Sequence, residues 1–170
     1  VEFRLARIDP DGNCTNGVVR INNGNASNNA GNNVKSLSYW PSNQYFNIWV
    51  VNTIESSGVN GIILGYAQFP GSGSWNTYGV VIRNDRVGSI GTAAAQDRTL
   101  THEIGHCLNL LHTFQSGCGS NCESSGDRVC DTPPVNSSTQ PCATSQNQCS
   151  NDTQGNSVYT TDVFDQIENY

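Results

Sequence analysis

Apolar residues gather in short runs along the first two-thirds of the chain. Tyr45 to Asn52 is β-branched and aromatic, a composition that predicts a strand, and its apolar density predicts a central one. Ile62 to Ala67 and Gly79 to Ile82 predict two shorter strands, joined through the flexible Gly71-Ser72-Gly73-Ser74. Residues 2–8 alternate enough to predict a further strand. Residues 9–33 are polar, and Asp11-Gly12, Asn16-Gly17 and Asn23-Gly24 mark turns in a loop with short pieces of structure. One helix is expected within Thr92 to Leu111, starting in the Ala93-Ala94-Ala95 region or at Asp97. There Leu100, Ile104, Cys107, Leu108 and Leu111 form a packing face. After His112 the pattern becomes irregular, and periodicity returns only over Val163 to Ile167.

The polar face of that helix changes the picture. All three histidines of the chain lie in His102-Glu103-Ile104-Gly105-His106-Cys107-Leu108-Asn109-Leu110-Leu111-His112. Residues four apart share a helix face, so His102 and His106 can turn two imidazoles to one metal ion. Glu103 projects beside the metal without having to bind it. From there a carboxylate can take a proton from metal-held water and return it to a leaving amine. Were the helix to continue, His112 would be rotated by about 80° and lie about 15 Å further along the axis. It reaches the same metal only if the helix stops and the chain turns back. Asn109 is where that turn should fall, because Asn is the non-glycine residue that best tolerates positive φ. Three imidazoles leave a fourth position open, as in catalytic zinc sites.

These residues resemble the motif of the metzincin metallopeptidases, with Asn109 where most have Gly. Asn at that place is similar to the pappalysin family. The resemblance extends over Phe3-Arg4-Leu5-Ala6, Asp9-Pro10-Asp11-Gly12, Tyr45 to Asn52, Leu64 to Gly71, Gly79 to Ile82, Arg98 to Thr101, His112-Thr113-Phe114 and Gly126-Asp127 through Pro133. It implies an α/β (α+β) zinc-protease catalytic domain: a twisted mixed sheet with an antiparallel edge strand, an active-site helix and an irregular, disulfide-linked lower subdomain. Residues 1–112 would form the upper subdomain and 113–170 part of the lower one. The family's Met-turn would begin just after Glu168-Asn169-Tyr170, and the chain contains no Met. A strand and a long helix would precede Val1. The resemblance therefore implies the middle of a single catalytic domain, cut at both ends.

The implied activity is that of a secreted zinc-dependent endopeptidase acting on peptides or proteins, with Glu103 as base and His102, His106 and His112 as ligands. Gly65, Tyr66, Ala67 and Gln68 would form the edge strand that pairs with an extended substrate; a capped edge strand ended by Pro70 is the alternative. A zinc peptidase of another clan would instead use Glu123 or Glu168 as third ligand and leave His112 idle. A non-catalytic, zinc-stabilised binding or adhesion module would have no use for Glu103.

Charge and cysteines narrow the rest. The net charge of −6 speaks against a nucleic-acid partner. No apolar run approaches the roughly 20 residues of a membrane span, and a monomer is expected. Five of the seven cysteines fall between residues 118 and 149, among Gly, Ser, Asn and Gln. That pattern predicts disulfides formed outside the cell, with a second zinc site as the rival. The family resemblance implies Cys118–Cys142, Cys149 bonded to a cysteine beyond Tyr170, and Cys122–Cys130 as an extra local loop. Asp127, Asp131, Thr132, the Val129 carbonyl and Glu123 offer oxygens to a structural Ca²⁺, which the resemblance also implies there; a solvated acidic loop is the alternative.

Overall fold

The computed structural model describes residues 1–58, 60–88, 98–138 and 145–166. The chain divides into two compact units, Val1–Asn109 and Leu110–Tyr170.

The first unit is built on a three-stranded sheet: β1 (Asn47–Val51), β2 (Gly65–Ala67) and β3 (Gly79–Arg83), in the order β1-β3-β2. β1 runs parallel to β3, with Trp49 opposite Val81. β2 runs antiparallel to β3, with Tyr66 opposite Val81. The mixed sheet with an antiparallel edge strand is the expected one. Its centre is not the expected one: β3, not the Tyr45–Asn52 run, lies in the middle. Gly79 to Ile82 are all buried, whereas Ile48 and Val50 of β1 are exposed. The reason is two-sided packing. Val81 faces a core made with Ala30, Val34, Trp49, Val51 and Ile54, while Val80 and Ile82 face Cys107, Leu100 and Ile104 of the helix α2 (Thr99–Cys107). Gly79 permits the close strand approach. Its φ is 140°, and a Cβ there would stand 2.2 Å from the Asn47 carbonyl oxygen.

Residues 2–8 form no strand. They make only the isolated bridge of Ile8 with Cys14, and Phe3 rests on Phe46 with ring centroids 5.2 Å apart. Alternation alone was misleading because a strand also needs a ladder partner. The polar stretch that follows holds a single helical turn, α1 (Gly24–Ser27), capped by the Asn23 side chain, and a 3₁₀ segment over Asn32–Ser36. That segment buries Lys35. Its ammonium donates to the Thr77 carbonyl at 2.9 Å and lies 5.5 Å from the Trp49 ring centre and 5.0 Å from that of Tyr66. Burial lowers its pKa. The helix starts predicted at 93–95 and 97 lie outside the described residues.

The second unit contains no helix or strand among its described residues. Two disulfides stand in for a large core: Cys122–Cys130, as implied, and Cys118–Cys149. The latter corrects the implied Cys118–Cys142 bond and the implied partner of Cys149 beyond Tyr170. Cys142 itself lies outside the described residues. Around the bridge, the Asp165 carboxylate accepts from the Gln148 N–H, and the Gln148 side-chain oxygen accepts from the Ser137 N–H and hydroxyl. These contacts draw Gln148, and Cys149 next to it, into the fold.

Disulfide mapping by peptide mass spectrometry should recover Cys118 joined to Cys149. Replacing both with Ala should cost about 3–4 kcal/mol in denaturant unfolding, the loop-closure value for a 31-residue separation. A recovered Cys118–Cys142 peptide would reject this connectivity.

Candidate metal centre

Helix α2 carries the site because its two faces have separate tasks. Leu100, Ile104 and Cys107 pack on the sheet. His102 and His106 come together on another face with ring centroids 4.7 Å apart, and His106 is buried against Phe69 at 4.9 Å. Phe69 follows the edge strand and lies within the Leu64 to Gly71 resemblance, but its packing on a histidine was not legible from the sequence.

The helix stops where the third histidine requires it to. Leu108 is its C-cap, and Leu108 N–H bonds to the carbonyls of Ile104 and Gly105. Asn109 N–H bonds to the His106 carbonyl at 3.0 Å, and Asn109 has φ 71°. The left-handed residue just past the cap is the expected device. The Tyr78 hydroxyl donates to the Cys107 carbonyl, so the last turn leaves no carbonyl of residues 104–107 bare. His112 stacks on Phe114, with centroids 4.7 Å apart and planes 7° from parallel. One ligand atom each from His102, His106 and His112 can be chosen so that all lie within 4.8 Å of one another. This is a donor set of imidazole nitrogens with spacing compatible with a single metal ion.

Glu103 is buried, and loss of water pushes its carboxyl up to about 7. It lines a cleft of about 470 Å³ with His102, Arg98 and Thr99 on the helix side and Ile63, Leu64 and Gly65 on the strand side. The cleft reaches Gly65, the first residue of β2, and β2 pairs with β3 along one edge. Among the described residues, the second edge of β2 has no strand partner. Tyr66 turns into the sheet's far core, Ala67 packs toward α2, and the Gln68 side chain is tied to the Ser74 carbonyl and the Thr77 hydroxyl. The edge therefore offers main chain more than side chains.

The other predicted residues fall elsewhere. Glu123 accepts a 2.6 Å hydrogen bond from Asn156, and the described metal-ligand cluster contains no Glu. Glu168 lies outside the described residues. In the acidic loop, Asp127 accepts from the Val129 N–H at 3.0 Å and the Val129 carbonyl accepts from the Thr132 N–H at 3.3 Å, so these groups form a compact turn. Burial raises the Asp127 pKa, and the neighbouring Asp131 adds to the rise. The Asp131 carbonyl accepts from the Tyr159 hydroxyl.

Sheet, helix, turn and imidazoles together are the architecture of a metzincin metallopeptidase. Residues 28–170 match the peptidase M43 family, described as pregnancy-associated plasma protein-A, and the chain belongs to that family. An extracellular metalloprotease of Arthroderma otae is 32% identical over 155 residues, covering 88% of this chain and 51% of that protein. One from Colletotrichum graminicola is 39% identical over 93 residues, covering 51% of this chain and 32% of its own length. Mature mirolysin of Tannerella forsythia, solved with a cleaved peptide, superposes with a TM-score of 0.70 at 34% identity, over 98% of this chain and 64% of that one. The chain thus spans between a third and two-thirds of these relatives.

Asn109→Gly should keep the fold and metal affinity, since Gly adopts φ 71° without strain. Asn109→Val should cost about 1–3 kcal/mol, because a β-branched residue resists that conformation. Thermal denaturation and metal titration of both variants check this; equal losses in the two would show that the Asn side chain, not its backbone, is required.

Proposed function

We propose that this chain carries the catalytic centre of a secreted zinc endopeptidase. The observation that carries the reading is the buried Glu103 on the helix that presents His102 and His106, in a cleft that reaches Gly65 at the start of the edge strand. His102, His106 and His112 would hold zinc, a fit supported by three imidazoles and no other ligand type in the cluster. Zinc bound there supplies a Lewis acid for the scissile carbonyl and lowers the pKa of water toward 7.

The remaining work belongs to the protein. Glu103, raised to about 7, can accept the proton of the attacking water on a carboxylate oxygen and give it up again near neutral pH. The proton goes to the amine nitrogen released when the C–N bond breaks. The Gly65–Gln68 segment would align the substrate as an added antiparallel strand. Main-chain hydrogen bonds hold the peptide with little demand on its side chains. The peptide in the mirolysin structure and the name extracellular metalloprotease borne by the fungal relatives support the substrate class and the location. In the described residues no helix is long and apolar enough to cross a membrane.

The proposal extends to calcium in the loop of Asp127, Val129, Asp131 and Thr132. The half-buried Asp127 carboxylate, whose charge is disfavoured by partial burial and by the neighbouring Asp131, would be relieved by a divalent cation. Calcium should then raise Tm, and Asp127→Asn should abolish the rise; an equal rise in the variant would remove the loop from the proposal.

Glu103→Ala should leave zinc content at one per chain and reduce peptide hydrolysis by about 100-fold or more, the size of a lost general base. His112→Ala should weaken zinc binding in chelator competition, because one of three protein ligands is gone. Hydrolysis by Glu103→Ala within about tenfold of the parent would reject Glu103 as the base, and unchanged zinc affinity in His112→Ala would reject the three-histidine site.

A further inference from the structure

Gly65 opens the edge strand, and its backbone gives no reason for a glycine. Many glycines of the chain have positive φ; Gly65 does not, and it pairs regularly with Ile82 in the ladder. In a strand interior, glycine costs stability and places no side chain in the core. The reason for it lies across the cleft. A Cβ at position 65 would stand 2.9 Å from Glu103 Cγ, 3.2 Å from its Oε1 and 3.3 Å from its Cδ. The nearest atom is a methylene close to the helix, so the whole Glu103 side chain would have to shift. Successive strand residues face opposite sides, which turns Tyr66 away and leaves only Gly65 and Ala67 to face α2.

From this contact we infer that Gly65 is a positioning residue for Glu103: its bare Cα is the surface against which the carboxylate side chain is seated. The strand that would align the substrate also fixes the direction in which the base points. The inference rests on the reading of Glu103 as the general base. It goes further in making the base's placement a property of the strand as well as of the helix. A side chain at position 65 would act on the proton-transfer step, through Glu103, and leave the imidazoles and the outer strand edge in place.

The test combines kinetics with a double-mutant cycle in stability. Gly65→Ala should retain one zinc per chain and bind a peptide substrate with KM within about twofold of the parent, while kcat falls about 100-fold. In parallel, Gly65→Ala should lower Tm by about 5 °C in the parent and leave it unchanged in a Glu103→Ala background, where the crowded side chain is absent. If Gly65→Ala alone fails to fold, recovery of folding in Gly65→Ala/Glu103→Ala would support the contact equally well. Equal destabilisation in both backgrounds would overturn the inference, as would an unchanged kcat or a loss confined to KM, which would place the effect of position 65 on substrate binding and not on Glu103. With an inactive parent the Tm cycle alone decides the inference, since it reports the contact whatever the reaction.

Discussion

The turn after Cys107 is the constraint on which the centre depends. A helix can bring two imidazoles four residues apart to one ion, but it carries every later side chain away along its axis. The third ligand must therefore come from chain that has left the helix. Asn109 in the left-handed region does this at one residue, and the hydrogen bonds of Leu108, Asn109 and Tyr78 satisfy the carbonyls that a stopped helix leaves exposed. Tyr78 belongs to the segment leading into β3. Where the helix ends is thus fixed by the sheet as well as by local conformation.

The sheet holds the helix by a division of faces. Val80 and Ile82 receive α2, while Val81 anchors the opposite core with Trp49 and Val51. A three-stranded sheet covered on both sides keeps its middle strand dry, while Glu103 is buried against Gly65 of the edge strand. Its carboxyl titrates near neutrality because burial removes water from it, with no charged partner needed. Lys35 shows the same economy on the other side: a buried cation satisfied by one carbonyl and two aromatic faces.

Much of this was legible in the sequence wherever the information is local. The i, i+4 histidines, the adjacent Glu and the Asn turn are written within eleven residues, and the β-branched runs mark β1 and β3. What failed depends on partners distant in sequence. The 2–8 segment alternates, yet no ladder receives it. The Tyr45–Asn52 run is the richer in aromatics, but centrality belongs to β3 because β3 has neighbours on both sides. Cysteine spacing does not choose between Cys142 and Cys149 as the mate of Cys118; the contacts of Gln148 with Asp165 and Ser137 accompany the Cys149 bond. The burial of Lys35 under Trp49 and Tyr66 likewise has no local signal in the sequence. Gly65 was legible as part of the edge strand, but its closeness to Glu103 belongs to the packing of strand against helix and is not written in either segment.

The second unit has a consequence of another kind. Proteases of any kind cut most readily in a segment without helices or strands to protect it. The described part of Leu110–Tyr170 is such a segment. Cleavage requires a stretch of backbone to open and straighten, and the rate follows how often it does so. Cys118–Cys149 and Cys122–Cys130 tie the stretch back on itself, so neither loop can be drawn out straight while its bridge is intact. Cross-links in place of secondary structure therefore shield an irregular unit from proteolysis, and reduction would remove that shield.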